Sequence, residues 1–400
     1  MTEITALQAE PLLPRARSTC AELRLDVQVH SSMADAECVW RGLEARAVLT
    51  PYQRFDWISG MLAANAEPEG ELVIAVIRRA GVPVGLLPLI IRRKFGAAFA
   101  RFIGAHQSNS DWLLALPDFI PSPSELQIIF RQIASAVGGI DLMVLMNQPE
   151  SWQGHSNPVL ALPHSPAASN LYTTSLAATP APYVDYRLSA KRRANINRGR
   201  RRLEEMLGPV RLARVTDPAM LERVHAEFLA QRGARFDAMG VANIFAEPPY
   251  MQFFRDVAAD NFEVARPTLT AHALFAGDEI VATCWGTMAG DHYSQYINST
   301  SSGPAGRYSL MGILVADLMD ELIHVGITSF DMGLGDFEYK VDWTEPQPVY
   351  HSVIALTGRG RFASTLLRQR AAVKRLIKQT PSLWNAAKWL RRSVFKLRKR

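Results

Sequence analysis

GPAGRYSLMGILVADLMDELIHVGITSFDMGLGDFEYKVDW, residues 303–343, carries a turn, a helix and a strand in that order. Gly303, Pro304, Ala305 and Gly306 make a small-residue turn, where backbone can approach a ligand closely with its N–H groups outward. Apolar periodicity predicts a helix from about Tyr308 to Gly326: Leu310, Ile313, Leu314, Leu318, Leu322 and Val325 recur at three- and four-residue steps, with Asp317 the exception on that face. The run Ile327–Gly333 is short, β-branched and aromatic, and reads as a buried strand. A turn that opens a helix presents unpaired amides and the positive end of the helix dipole, so a pyrophosphate fits there. Taken alone, the same turn also reads as a plain connection between strand and helix. The residues after the strand add weight: Gly333 and Gly335 end it and release a polar and aromatic run, Asp336 to Trp343. Loops at strand ends are where sites are built.

Three pieces of this stretch, Ala305-Gly306-Arg307-Tyr308-Ser309-Leu310, Phe330-Asp331-Met332-Gly333-Leu334-Gly335-Asp336 and Tyr339-Lys340-Val341-Asp342-Trp343, resemble the C-terminal half of the BioF2-like, CelD-type acyltransferases of the GNAT superfamily, relatives of the FemAB peptidyltransferases. The superfamily's phosphate loop opens with Gln or Arg, whereas Thr300 stands at that place here, so acyl-CoA binding is implied by the resemblance and not read from the loop itself. The resemblance implies an α/β fold of mixed sheets in tandem GNAT-like domains, followed by a basic helical tail. It implies acetyl-CoA or another acyl-CoA as co-substrate, no metal, and a small-molecule or glycan amine as acceptor. Its setting would be bacterial exopolysaccharide or cell-envelope biosynthesis.

The totals bound these expectations. Four hundred residues with 48% apolar composition suffice for two or three globular domains. The longest apolar runs, such as Val82–Ile91, are about half of what a bilayer span needs. Glu3 and Glu10 stand where a secretion signal would be basic, so residues 1–24 read as a loose leader. Cys20, Cys38 and Cys284 are widely spaced and form neither a disulfide framework nor a zinc pattern, which fits a reducing cytosol. The net charge of +6 hides an asymmetry: residues 358–400 hold 14 of the 44 Lys/Arg and none of the 38 Asp/Glu. On a helical wheel Leu383, Ala387, Leu390, Val394 and Leu397 oppose Lys388, Arg392, Lys396 and Lys399. Residues 380–400 therefore read either as an interfacial helix drawn to anionic lipid, at the inner face of a membrane, or as a helix docked on the acidic body.

Along the chain, residues 25–165 read as an N-terminal GNAT-like domain without its own phosphate turn, 166–182 as a linker, 183–357 as the C-terminal acyltransferase domain and 358–400 as the tail. Strands are expected near 23–29, 72–78, 84–91 and 141–146, with a helix over 123–137. In the polar segment 102–114, His106 and Asp111 either line a shared cleft or belong to a loop bonded to itself. Tyr183–Leu188 alternates briefly. Ser189 then caps a helix with seven Lys/Arg between Lys191 and Arg202. This reads as a positive wall over an anionic substrate or the CoA phosphates, with Arg192 a substrate-binding candidate, or else as a plain solvated face; nucleic acid is disfavoured because no aromatics are interleaved. His225 and Arg232 on the helix 217–237 match part of a family element; a lone His on such a helix also serves a purely structural role. Strands at 268–275, 279–288 and 292–299, joined by Ala-Gly-Asp turns, complete an antiparallel meander.

The resemblance assigns roles. Gly303, Ala305, Gly306, Arg307, Tyr308 and Ser309 would hold the pyrophosphate; Asp336 or Glu338 would be the base or amine orienter; Tyr339 and Lys340 would meet the thioester carbonyl, leaving thiolate or substrate anions. Arg192, His225, Arg232, Asp111 and Trp343 would contact the acceptor. Two rivals remain open: a FemAB-like enzyme using aminoacyl-tRNA, and a non-catalytic accessory of polysaccharide synthesis at the membrane surface.

Overall fold

A computed structural model describes residues 25–393 apart from 95, 178, 261, 381, 388 and 390–392. The leader 1–24 with Cys20, and Lys388, Leu390, Arg392, Val394, Lys396, Leu397 and Lys399 of the expected interfacial arc, lie outside the described residues. The first sheet takes β1 (Leu25–His30), β2 (Glu71–Arg79), β3 (Val82–Lys94), β4 (Ala97–Phe102), the two-residue β5 (Leu114–Ala115) and β6 (Leu142–Pro149). A small hairpin of β7 (Ser151–Trp152) and β8 (His155–Ser156) and an edge strand, β9 (His164–Pro166), come next in the chain. The second sheet is β10 (Leu171–Ser175), β11 (Val210–Arg214), β12 (Thr270–Ala276), β13 (Glu279–Ala289), β14 (His292–Thr300), β15 (Ser329–Leu334) and β16 (Glu345–Gln347), while β17 (Val349–Ala355) returns to the first.

Local chemistry explains most of these elements. Ala80 and Gly81 both take positive φ, the backbone a two-residue hairpin demands, and they join β2 to β3. Helices α1 (Met33–Glu44), α2 (Phe55–Ala63) and α3 (Pro123–Ala136) belong to the first half, and Ser122 with Glu125 forms a capping box that starts α3. The second half holds α4 (Tyr183–Arg187), α5 (Ala190–Leu207), α6 (Pro218–Met239), α7 (Pro248–Ala259) and α8 (Leu310–His324), and α9 (Gly358–Gln379) comes after β17. Asp217 caps α6 through Met220 N, and Gly240 ends it in the left-handed region. The alternation at Tyr183–Leu188 is helical, not extended. Tyr183 N donates to Asp320 Oδ1 at 2.7 Å and its hydroxyl donates to Trp343 O at 2.9 Å, so tertiary contacts override the local pattern.

Both sheets repeat one plan, an antiparallel meander and then a parallel pair: β4 with β6, and β14 with β15. They also exchange strands. β10, from the stretch expected as linker, pairs with β15 in the second sheet, and β17 pairs with β6 in the first. Each crossing strand covers an edge that would otherwise stand open. One apolar core spans the halves: Trp57, Ile58 and Met61 of α2 meet Phe253, Phe254 and Val257 of α7. Gly60 makes that approach possible, since a Cβ there would lie 2.3 Å from Val257 Cγ2.

Candidate active site

The expected turn is a single 3-10 turn, Pro304–Arg307, leading into α8 through Ser309. Ser309 is left-handed, with φ of 53°, and its side chain caps nothing. The first-turn amides of Leu310, Met311 and Gly312 have no acceptor inside an α-helix. These residues line a cavity of about 260 Å³ together with Gly306, Thr300, Tyr339 and Trp343 on one side and Arg192, Asn195 and Ile196 of α5 on the other. Helix α5 comes this close because of Gly199, where a Cβ would lie 2.6 Å from Tyr308 O. Arg192 pairs with Asp342 across the cavity mouth. Arg307 points elsewhere: it lies over the Tyr308 ring at 4.9 Å and, with Arg202, lines an open groove of about 530 Å³.

A second cavity, about 140 Å³, opens where β14 and β15 part company. Their parallel pairing covers only His292–Ser294 against Ser329–Asp331, and β14 bulges between Gln295 and Ile297. On either side of the bulge, Gln295 and Asn298 line the gap with Met332 and Leu334, with Arg232, Arg235 and Phe236 of α6 above and Lys340 at the base. Tyr339 lines both cavities.

Lys340 is buried, and its Nζ donates to Gly333 O and Leu334 O, each at 3.0 Å. Burial lowers its pKa from 10.5 to about 8, against the pull of Asp331 and Asp336. Burial likewise lowers Arg232 to about 10, and its Nη1 donates to Asn298 O at 3.1 Å. Tyr339 is pushed up by burial. Asp336 is exposed but engaged: its Oδ1 accepts from Asn170 N, Asn170 Nδ2 and Tyr172 OH at 3.1–3.2 Å. Glu338 is exposed, next to Tyr339 in the chain, and lines neither cavity. Gln295 is 1% exposed, and apart from the nearby Cys284 thiol its amide has no hydrogen-bond partner.

Beneath the second cavity runs a buried polar chain. Asp331 accepts from His292 Nε2 at 2.7 Å, Ser294 Oγ at 3.0 Å and Gly333 N at 2.7 Å. Ser294 reaches Tyr52 OH of the first half at 2.8 Å, and Asn109 Nδ2 donates to Tyr52 while its Oδ1 accepts from Leu334 N.

This geometry has counterparts among known proteins. Residues 190–341 match the acetyltransferase (GNAT) domain family. The match runs from the start of α5 into the turn that carries Tyr339 and Lys340. Among solved structures, FemX aligns with a TM-score of 0.55 at 9% identity over 82% of this chain and 97% of FemX. The C-terminal domain of a putative lysylphosphatidylglycerol synthetase from Agrobacterium fabrum aligns at 0.48 and 13%, over 86% of this chain and 96% of that one. A tandem GNAT protein from the clavulanic acid biosynthesis pathway aligns at 0.45 and 13%, over 83% and 98%. At 9% identity the FemX likeness is one of fold; with the matched second half and the plan that both sheets repeat, the fold is a tandem of GNAT-like halves built on mixed sheets. No curated protein matches the chain.

Within the half that the family model matches, the two cavities gather Arg192, Arg232, Gly306, Ser309, Tyr339, Lys340 and Trp343 from among the expected residues. Arg307 and Tyr308 line the neighbouring groove, buried Ala305 and exposed Gly303 shape the turn, and Asp336 and Glu338 flank it on the far loop. His225 is set apart. It is stacked among Phe228, Phe254 and Trp285, with burial lowering it to about 4 and both ring nitrogens without partners. Asp111 is buried in the first half against Gln53 Nε2 at 3.0 Å, and burial raises it to about 8. His106 bonds Tyr250 OH of α7 at 2.9 Å and is likewise lowered to about 4 by burial. Sequence reasoning missed Gln295, Asn298, Asn195 and Arg235. The one signal for Gln295 is a long amide in a strand whose sequence, HYSQYINST, is unusually polar for one that follows two apolar strands of a meander.

Proposed function

We propose that the protein is an acyl-CoA-dependent N-acyltransferase that moves an acyl group, acetyl in the simplest case, to an amine acceptor carrying a negative charge, in bacterial exopolysaccharide or cell-envelope synthesis. The observation that carries this reading is the uncapped first turn of α8, whose residues Ser309–Gly312 line a cavity facing Arg192 and Asn195. Free amides, a helix dipole and a cation converging on one space suit a pyrophosphate. The chain's residues fit the group: Gly306 turns so tightly that a Cβ would lie 2.7 Å from Ser301 O.

When bound, the thioester supplies the activated acyl carbon. The protein would orient the acceptor, take its proton and hold charge that develops on oxygen and sulfur. Tyr339, common to both cavities, would donate to the carbonyl oxygen. Lys340 has two N–H groups committed to carbonyls, and with a pKa of about 8 its remaining proton suits transfer to the leaving thiolate. Glu338, exposed beside Tyr339, would receive the amine's proton, and Asp336 would hold Asn170 and Tyr172 in place. Arg232 and Arg235 would recognise the acceptor's anionic group, and Gln295 would supply its amide, which has the Cys284 thiol as its one neighbouring partner among the described residues.

Thermal shift with acetyl-CoA and longer acyl-CoAs tests this on wild type, Lys340→Ala and Gly306→Trp. Stabilisation should follow RT ln(1 + [L]/Kd) and vanish in the Gly306 variant. A folded wild type that shifts with none of them overturns the reading. It would favour an aminoacyl-tRNA donor, supported by the Lys/Arg face of α5 and the groove between Arg202 and Arg307. Co-purified tRNA and a steep salt dependence would then be expected.

A further inference from the structure

Helix α9 is amphipathic with its apolar side outward. Its inner side is fixed: a Cβ on Gly360 would lie 1.9 Å from Asp141 O, Ser364 is buried, and Arg368 Nη2 donates to Val353 O at 2.9 Å. On the opposite side Phe362, Leu366, Val373 and Leu376 are between 53% and 72% exposed. At about 100° per residue these four fall on one stripe. By the same rotation Arg361 borders the stripe on one side, and Arg370 and Lys374 border it on the other. Beside the first turn of α9 lies an apolar cavity of about 540 Å³ walled by Phe99, Phe362 and Leu366, with Lys94 and Arg359 at its edge.

A helix on a water-facing surface ordinarily turns this stripe to the core. Four large apolar side chains in solvent, bordered by cations, match the interface of a bilayer, where the stripe enters the acyl region and the cations meet headgroup phosphates. We propose that the outward face of α9 docks the protein on an anionic lipid bilayer. Charge decides against a second copy of the chain: residues 358–400 contain no Asp or Glu, so the same face of two copies would bring like charges together. No helix among the described residues is long and apolar enough to cross a membrane, so the contact is peripheral. The far end of α9 reaches the candidate site: Lys378 Nζ donates to Ser169 Oγ at 2.8 Å, beside the Asn170 that holds Asp336. That contact lies on the inner side of α9, so the loop of Asp336 sits across the helix from the lipid-facing stripe. The lipid contact does not depend on acyl transfer.

The test is co-sedimentation of the full-length protein with vesicles of phosphatidylcholine alone and of phosphatidylcholine mixed with phosphatidylglycerol, for wild type and for Phe362→Glu/Leu366→Glu. Both substituted side chains are solvent-facing, so the variant should keep its circular dichroism and melting temperature. Wild type should bind the mixed vesicles and leave the neutral ones, and the variant should partition about tenfold or more weakly. Equal binding to both vesicle types, undiminished binding by the variant, or no binding by wild type would each overturn the proposal. So would a wild type that is dimeric by light scattering while the variant is monomeric, which would assign the stripe to a second copy.

Discussion

The ammonium of Lys340 lies 3.0 Å from the carbonyl oxygen of Gly333, seven residues back along the chain, and a matching bond to Leu334 O closes the loop between them. This clasp fixes the cation at the base of the cavity where β14 and β15 separate. It also keeps the ammonium from water, and that burial lowers its pKa from 10.5 to about 8.

If the protonated form serves the leaving group, turnover should fall with an inflection near pH 8. Lys340→Met should remove the inflection and lower kcat by about 10²–10³-fold. Stability carries the opposite sign. Between pH 8 and 10.5 the unfolded chain binds a proton that the folded chain lacks, so the cost of burying Lys340 is full below 8 and is relieved as pH rises towards 10.5. Urea denaturation of both proteins across that range would show the wild type gaining relative to Lys340→Met.

Asp111 should behave in the reverse way. Burial raises its pKa from 3.8 to about 8, so the folded chain holds a proton that the unfolded chain releases, and stability falls as pH rises between those values. The slope for one proton is at most ~1.4 kcal/mol per pH unit. Asp111→Asn keeps an oxygen for Gln53 and removes the titration. The variant should gain on wild type as pH is raised from about 5 to about 8; parallel urea curves would refute the assignment.

The chain Asn109–Tyr52–Ser294–Asp331 couples the halves beneath the site. Tyr52→Phe leaves buried polar atoms short of a partner, and should cost about 1–3 kcal/mol. A double-mutant cycle with Ser294→Ala should show a coupling of at least about 0.5 kcal/mol, measured by chemical denaturation. Additive effects would mean the two hydroxyls do not act together.

Gly199 sets the distance between α5 and the turn before α8. Gly199→Ala puts a methyl group 2.6 Å from Tyr308 O, which forces the helix outward. We expect a loss of about 1–3 kcal/mol and weaker binding of pyrophosphate-bearing ligands. Gly42→Ala in α1 is the control: nothing lies within 4 Å of the added carbon, so it should be neutral or stabilising by up to about 1 kcal/mol. Calorimetric melting and ligand titration on both variants would decide.

Local sequence determined α5, α6, the β12–β14 meander, α8 and β15 of the second half. Three- and four-residue periodicity specified α8, positive-φ turns specified the hairpins, Ser189 and Asp217 capped their helices, and two glycines ended β15 where the polar loop begins. These signals are legible because each depends on a few neighbouring residues. The tertiary structure alone decided the rest. Strands β10 and β17 cross between sheets because each meets an open edge more than a hundred residues away, and no local pattern records that. Helix α7 is held by α2 of the other half, and Tyr183 is helical because of contacts with Asp320 and Trp343. The second cavity depends on α6, β14, β15 and the Lys340 turn meeting around a bulge, so Gln295, Arg235 and Asn298 acquire meaning only once those elements converge. His225 shows the limit from the other side: a helix pattern reveals which face turns inward, while most of the neighbours on that face, here aromatic rings, come from elsewhere in the chain.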